Sequence, residues 1–180
     1  IVDDGSSNNE TLAALDVIAR WDQRIFVERR SVNGGISAAT NDAMRAARGE
    51  YVAMLDNDDE LTTDALFEVV SAINRDPTLD VLYTDQDYVE ADGSYAGHLL
   101  KPDWSPELFR GVMFVGHLLV VRRELALRVG GFESKFDYVQ DFEFMLRVSE
   151  HTTRIHHIPK ICYHWRKIPT SVAQGGKVGI

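Results

Sequence analysis

A short apolar run that ends in a cluster of acids constrains the fold of this chain more than any other feature. Residues 51–55 read Tyr-Val-Ala-Met-Leu, the length of a buried β-strand, and the acidic segment Asp-Asn-Asp-Asp follows at 56–59. Clustered carboxylates repel one another, and hard cations such as Mg²⁺ or Mn²⁺ prefer these oxygen ligands. The segment therefore predicts a strand that carries a cation site at its end. The alternative is an acidic turn that caps the next helix.

The same order of apolar run and acids occurs on both sides of this segment. Asp4 follows the pair Ile1-Val2, and Asp85 and Asp87 follow the apolar residues 81–84. Ligands bind at the carboxyl ends of the strands in open α/β sheets. We therefore expect the acids that follow the three strands to converge at one edge of a sheet.

Segments with helical spacing separate these predicted strands. They comprise an apolar stripe at 12–18 after capping-box spacing at 7–10, an Ala-rich segment at 36–48, and a segment at 64–74. Alternation of strands and helices predicts an α/β fold with a mostly parallel central sheet flanked by helices.

The second half of the chain is less regular. Its expected elements are a turn at 92–93, a Pro-bracketed loop at 101–106, a strand at 118–121, helices at 124–129 and 141–150, and short strands at 155–158 and 161–164. Pro159 separates the last two strands, and Trp104 in the Pro-bracketed loop is expected to be exposed. Residues 169–180 are expected to form a loose tail.

Composition excludes several classes of protein. A chain of 180 residues can bury a core as one domain, and its net charge is −9. No long run of Lys or Arg offsets this charge, so we expect no nucleic-acid partner. The single cysteine, Cys162, excludes an intrachain disulfide and fits a reducing compartment. No segment is long and apolar enough to span a membrane. The chain begins at Ile1 as if inside a strand, and we interpret it as a fragment of a longer protein.

Six segments together resemble the inverting nucleotide-sugar glycosyltransferases of family 2, which have the GT-A fold. In chain order they are Ile1-Val2-Asp3-Asp4-Gly5-Ser6, Asn33-Gly34-Gly35-Ile36-Ser37 with Asn41, Gly49-Glu50-Tyr51 leading into Asp56-Asn57-Asp58, Gly130-Gly131-Phe132, Gln140-Asp141-Phe142-Glu143, and Tyr163-His164-Trp165-Arg166. Each segment alone is a weak signal, but together they cover nearly the whole chain in the family's order. The resemblance implies a Rossmann-like GT-A catalytic domain over residues 1–168.

The resemblance also implies a nucleotide-diphospho-sugar donor, UDP-linked by preference, bound together with Mn²⁺ or Mg²⁺. Asp4 matches the position that hydrogen-bonds the base, and Asn33 is a further nucleotide-binding candidate. Asp56 and Asp58 match the family's D-x-D motif: Asp56 would approach the ribose or a metal-bound water, and Asp58 would coordinate the metal. His164 matches a position near the metal or the diphosphate. The alternative for Asp4 is a turn-forming role, since Asp-Gly favours turns.

Asp141 matches the family's catalytic base, which would deprotonate the acceptor hydroxyl as it attacks the anomeric carbon. The family usually has Glu before this residue, whereas this chain has Gln140. The alternative is an acid that stabilises a helix N-terminus. Arg166 is a candidate partner for phosphate oxygens, and Trp104 is a candidate for the sugar or acceptor pocket. His117 and three other histidines are assigned to scaffold or surface.

Two absences bear on the expected activity. The family's first strand and helix, which precede the Val-Asp-Asp-Gly-Ser segment, are missing, so we expect this chain alone to bind donor poorly. A Gln-x-x-Arg-Trp segment, typical of processive synthases, is also missing, which favours transfer of a single sugar. The resemblance implies a glycan or lipid-linked acceptor, a role in surface polysaccharide assembly, and a cytoplasmic location, peripheral at the membrane through other parts.

Two other functions remain open from the sequence. A sugar-phosphate nucleotidyltransferase has a related sheet, but its Gly-rich loop would fall in the missing region and the Asp141 segment has no evident counterpart in it. A glycosyltransferase-like module that only binds glycans or partners is the second alternative. Retention of Asp4, Asp58 and Asp141 together argues against that module.

Overall fold

A computed structural model of the chain describes residues 1–167. The strands are β1 (Val2–Asp3), β2 (Glu28–Arg29), β3 (Tyr51–Met54), β4 (Glu60–Leu61), β5 (Val81–Val89), β6 (Tyr95–Leu99), β7 (Leu119–Arg122) and β8 (Ile155–Arg166). The helices are α1 (Asn9–Ile18), α2 (Ile36–Ala46), α3 (Ala65–Arg75), α4 (Pro106–Phe109), α5 (Arg123–Arg128) and α6 (Gln140–Ser149). The tail predicted at 169–180 lies outside the described residues.

The strands form two sheets. β1 and β2 pair in parallel as a two-stranded sheet, and the other strands form a six-stranded sheet in the order β3-β7-β5-β8-β4, with β6 added beside β5. Within that larger sheet only β5 and β8 pair in parallel, so the prediction of a mostly parallel sheet is wrong. Two of the four antiparallel pairs arise because β7 inserts between β3 and β5 in the opposite direction, and a third joins β4 to β8. The fourth pair is β5 and β6, which a tight turn joins rather than a helix. Strands joined in this way are antiparallel.

The core lies on both faces of the larger sheet. Side chains alternate along a strand, so Val81 and Tyr83 point to one face and Leu82 to the other. The first face packs against α2, α5 and α6, and α3 covers the second face. This is the layered α/β arrangement that the sequence predicted. Within residues 1–167, no helix is long and apolar enough to cross a membrane.

Two predicted strand boundaries are wrong. β5 does not end at residue 84 but continues to Val89, so Asp85 and Asp87 lie buried inside the strand and not at its end. Residues 155–166 form one strand and not two, because Pro159 and Lys160 bulge out between the pairs Thr84–Ile158 and Asp85–Ile161.

A side-chain amide joins α2 to the turn after α5. Asn41 accepts a hydrogen bond from the backbone N–H of Phe132 and donates one to its carbonyl, both at 2.8 Å. Gly131 has a φ of +69°, and a Cβ there would clash with the Asn41 carboxamide. Two segments of the family resemblance, remote in sequence, thus meet in one contact.

Candidate active site and metal centre

An acidic loop at residues 56–59 connects β3 to β4 and is held by β8. The hydroxyl of Tyr163 donates to Asp59 Oδ2 at 2.5 Å, and the backbone N–H of Arg166 donates to Asp59 Oδ1 at 2.8 Å. Arg166 Nε donates to the carbonyl of Asp58 at 2.7 Å, and its Nη2 pairs with Glu60. Arg166 therefore fixes this loop through protein contacts. Its predicted contact with phosphate remains a prediction.

An imidazole lies beside these acids. His117 comes just before β7, and its Nε2 is 3.8 Å from Asp56 Oδ2. Ligand atoms of Asp56, Asp59 and His117 all lie within 4.8 Å of one another. Two carboxylates and one imidazole form a donor set that fits a divalent cation, with carboxylates suited to Mg²⁺ and Mn²⁺. The roles predicted for Asp58 and His164 remain predictions, because this group contains neither residue.

The electrostatics of the loop indicate an excess of negative charge. The pKa of Asp56 is raised, first by burial and then by the charges of Asp59, Asp58 and Asp141, while His117 acts to lower it. A cation bound here would remove the cause of this repulsion. The same effect places Asp141, from a remote part of the chain, within electrostatic reach of the acidic loop.

Asp141 lies in the first turn of α6, where the helix dipole favours a negative charge. Its Oδ1 accepts a hydrogen bond from the N–H of Phe142 at 2.8 Å, and its side chain is half-buried. The helix therefore orients the carboxylate. The adjacent Gln140 carries a buried Oε1 that finds no hydrogen-bond partner among the described residues.

Asp4 is engaged by the glycine loop that precedes α2. Its two carboxylate oxygens accept hydrogen bonds from the backbone N–H groups of Gly34 (2.9 Å) and Gly35 (2.8 Å), and Oδ1 lies 2.9 Å from Arg30 Nε. Asn33 Oδ1 also accepts from the N–H of Gly35, at 3.2 Å. These contacts order the loop. The base-binding role of Asp4 and the nucleotide-binding role of Asn33 remain predictions.

The glycine loop touches the segment that leads to Asp141. Ser37 donates its hydroxyl hydrogen bond to Asp137, four residues before Asp141 in the chain. Gly35 has a φ of +84°, and a Cβ there would collide with the Asp137 carboxylate. Through these contacts the loop that holds Asp4 is a neighbour of the N-terminus of α6.

Two further predicted residues have protein partners in the structure. His164 Nδ1 lies 2.5 Å from Asp87 Oδ1, and its ring lies 4.1 Å from that of Tyr95. Trp104 is half-buried and packs against the rings of Phe109 and Phe114, at 5.0 and 6.0 Å. The expected exposure of Trp104 is wrong, because the loop folds its ring onto the aromatic core.

A buried lysine supports the segment that carries His117. Lys101 is 7% exposed, and its Nζ donates to the carbonyls of Val115 (2.6 Å) and His117. Burial lowers the pKa of Lys101 to about 7, while the charge of Asp85 acts to raise it. Asp85 Oδ1 accepts from the backbone N–H of Lys101 at 2.8 Å and lies 2.9 Å from His157 Nε2.

The sequence did not point to His117 or Tyr163 as metal-site residues, and it placed Asp59 in the acidic cluster of the predicted cation site without naming it as a ligand. His117 belongs to none of the segments that resemble the family, and Asp59 follows the D-x-D match by one position. Tyr163 lies within a matched segment, but the roles predicted for that segment were given to His164 and Arg166. The pairing of the strands, which the sequence does not display, brings the three residues together.

Comparison with solved structures identifies the fold. The crystal structure of TarS from S. aureus in complex with UDP-GlcNAc matches with a TM-score of 0.78 and 20% identity, over 98% of this chain and 51% of that chain. The complex of TarS with UDP matches with a TM-score of 0.74 and 21% identity, over 93% and 50% of the two chains. The fold is therefore the α/β fold of GT-A glycosyltransferases, as predicted.

The family follows from the sequence comparisons. Residues 1–129 match the family described as Glycosyl transferase family 2, and the chain belongs to it. O-antigen biosynthesis protein RfbC of Myxococcus xanthus is 41% identical over 176 residues, covering 98% of this chain and 14% of that protein. Chondroitin synthase of Pasteurella multocida is 31% identical over 165 residues, covering 91% and 17%. The chain thus spans less than a fifth of either relative.

Proposed function

We propose that this chain forms the catalytic domain of an inverting, metal-assisted glycosyltransferase that transfers one sugar from a nucleotide-diphospho-sugar to a hydroxyl acceptor. The observation that carries the proposal is that the charge of Asp141, at the start of α6, raises the pKa of Asp56, which lies with Asp59 and His117 in one group of possible metal ligands. A helix-borne carboxylate within electrostatic reach of a candidate cation site would supply the two functions that this reaction needs, a base and neutralisation of the leaving diphosphate.

In the proposed reaction Asp141 takes the proton from the acceptor hydroxyl. The acceptor oxygen bonds to the anomeric carbon from the face opposite the diphosphate, and the bond between that carbon and the diphosphate oxygen breaks. Asp56, Asp59 and His117 would hold the cation, with Asp58 and His164 as the further ligands that the family resemblance implies. A bound Mn²⁺ or Mg²⁺ would supply charge neutralisation for the departing diphosphate.

The relatives support the substrate class. TarS was crystallised with UDP-GlcNAc and with UDP, which supports a UDP-linked donor. O-antigen biosynthesis protein and chondroitin synthase, named among the relatives, support a glycan or lipid-linked acceptor and a role in surface polysaccharide assembly. We place the reaction in the cytoplasm, where nucleotide sugars are made available to such enzymes, with membrane attachment through other parts of the protein.

Replacement of Asp141 by Asn tests the proposal in the full chain. We expect release of the nucleoside diphosphate to slow by about 10²–10⁴-fold, the usual contribution of a general base. Glu143→Gln is the matched control, because Glu143 lies in the same helical turn but pairs with Arg147 Nη2 at 2.6 Å. Turnover of Asp141→Asn equal to that of the control would remove Asp141 as the base. Activity that persists after exhaustive chelation of divalent cations would exclude metal assistance from the proposed mechanism.

A further inference from the structure

We infer that Tyr163 is the positioning residue that sets the geometry of all three candidate metal ligands. The inference rests on the proposed cation site, and it adds a residue that holds the site without binding the cation itself. No other described residue contacts Asp56, Asp59 and His117 together in the hydrogen bonds and ring contacts of the structure.

The hydroxyl of Tyr163 serves both acids. It donates to Asp59 Oδ2 at 2.5 Å and accepts a hydrogen bond from the backbone N–H of Asp56 at 3.2 Å. A tyrosine hydroxyl offers one donor and free acceptor capacity, so one oxygen atom fixes both the side chain of Asp59 and the backbone of Asp56. Asp59 keeps lone pairs for a cation, because a carboxylate offers about four acceptor positions.

The ring of Tyr163 orients the imidazole. Its plane stacks on the ring of His117 at a centroid distance of 4.7 Å and an interplanar angle of 17°. Trp165 adds an edge contact to the same imidazole at 5.7 Å. A ring stacked on one face cannot turn freely about its Cβ–Cγ bond, so the stacking limits the directions that Nε2 can take before a cation arrives.

The position of Tyr163 is itself rigid. The residue is 0% exposed, and its backbone lies opposite Leu61 of β4 on one side and Gln86 of β5 on the other. Burial strongly raises the pKa of its hydroxyl, and the bond to Asp59 adds to this, so the group stays protonated and remains a donor. Outer residues of this kind orient the ligands of a metal, and their loss usually lowers metal affinity about 10–100-fold.

The test is Tyr163→Phe in the full chain, titrated with Mn²⁺ alone, with free Mn²⁺ followed by electron paramagnetic resonance. The variant keeps the ring and its stacking but loses the hydroxyl, and we expect Mn²⁺ affinity to fall by about 10–100-fold. Tyr51→Phe is the matched control. The hydroxyl of Tyr51 also donates one hydrogen bond, to Leu79 O at 2.7 Å, and accepts one, from Arg122 Nη2 at 2.5 Å, but it lies at the other end of β3. We expect both variants to lose thermal stability and only Tyr163→Phe to lose affinity.

Each outcome decides a separate point. If the unaltered chain binds no Mn²⁺, the proposed cation site is wrong and the inference falls with it. If the unaltered chain binds Mn²⁺ and Tyr163→Phe binds it equally well, the inference alone is wrong. An equal loss of affinity in Tyr51→Phe would reduce Tyr163 to a general contributor to stability and would also overturn the inference.

A second replacement keeps the test decisive if Tyr163→Phe does not fold. Incorporation of 2,3-difluorotyrosine at position 163 retains the ring and the hydroxyl but makes the hydroxyl a stronger donor and a weaker acceptor. We expect Mn²⁺ affinity to change severalfold at position 163 and to stay constant when the same residue is incorporated at position 51. Constant affinity at both positions would contradict the inference.

Discussion

Two aspartates at opposite ends of the larger sheet have opposite electrostatic surroundings. Asp80 directly precedes β5, and Asp56 follows the end of β3, which runs in the same direction as β5 because both are antiparallel to β7. Asp80 is 4% exposed and is met by Arg122 Nε at 3.1 Å, Arg154 Nη2 at 2.6 Å and the hydroxyl of Thr152 at 2.6 Å. The charges that act on Asp56 are those of the His117 imidazole and of three further acids, Asp59, Asp58 and Asp141.

The two pKa values move apart for this reason. Burial acts to raise the pKa of Asp80, but hydrogen bonds from Thr152 and Arg154 outweigh burial, so its pKa is lowered. Burial also acts on Asp56, where the neighbouring acids add to it, so the pKa of Asp56 is raised. At the Asp80 end of the sheet, arginine side chains neutralise the carboxylate. At the Asp56 end, further acids surround the carboxylate and raise its pKa. Clustered acids with a perturbed pKa are typical of a functional site, and here they favour the binding of a cation from solution.

The largest effect is expected at the neutralised end. Asp80→Asn leaves Arg122 and Arg154 without their shared carboxylate. Because Arg154 is exposed and Arg122 also pairs with Glu50, we expect a cost of about 1–3 kcal/mol, the usual cost of leaving hydrogen-bonding groups without one partner. Because the folded-state pKa of Asp80 is lowered, this stabilisation is present above pH 3.8 and is lost as pH falls through the folded-state value. Urea unfolding at pH 7 and in acid measures both effects. Asp92→Asn, in an exposed turn, is the control and should change the free energy of unfolding far less than Asp80→Asn.

The corresponding substitution at the other end of the sheet, Asp56→Asn, should lower the affinity for Mn²⁺ without lowering the stability of the metal-free protein. Asp56→Asn removes a candidate ligand, and we expect Mn²⁺ affinity to fall by about 100-fold or more. The free energy of unfolding without metal should not decrease, because a raised carboxyl pKa makes the ionised form unfavourable in the fold as pH rises above 3.8. Calorimetry with Mn²⁺ and urea unfolding without it separate the two effects. A metal-free protein destabilised as strongly as by Asp80→Asn would erase the contrast between the two ends.

Lys101 provides the most specific test, because its effect is a dependence of stability on pH. It is a buried cation on the Asp56 side, yet it bonds carbonyl groups and not the acids. Its pKa is about 7 in the fold and 10.5 unperturbed, so between these values the unfolded chain binds a proton that the folded protein lacks. Stability should therefore rise with pH across this window, by at most about 1.4 kcal/mol per pH unit.

Lys101→Met should abolish this slope, as measured by urea unfolding between neutral and alkaline pH. Lys160→Met is the control, because Lys160 pairs at the surface with Glu68 at 2.5 Å and its pKa is raised above 10.5. The slope should persist in that control. A slope that persists in Lys101→Met as well would mean that the lysine is not the group that titrates.

The sequence predicted the elements around the acidic loop well because their signals are local. The strand predicted at 51–55 is β3 at Tyr51–Met54, and the helix predicted at 64–74 is α3 at Ala65–Arg75. The helix that begins with Asp141 was predicted within one residue of its observed start at Gln140. Apolar spacing and flanking acids are properties of a single segment, so they can be read without knowledge of its neighbours.

The remaining features depend on which segments pair. His117 reaches Asp56 because β7 inserts between β3 and β5 in the antiparallel direction, which carries the residue before β7 to the end of β3. Asp85 was placed at a strand end because acids usually follow apolar strands. It lies inside β5 because Lys101 and His157 satisfy its carboxylate there.

The side chain and backbone of Arg166, at the end of β8, hold the acidic loop at Asp58 and Asp59 and also pair with Glu60, the first residue of β4. The loop is therefore preorganised for a cation, so little conformational entropy of the chain is lost when the cation binds. The speed of capture should then depend on how quickly the incoming ion sheds its water molecules, a step that Mg²⁺ takes reluctantly.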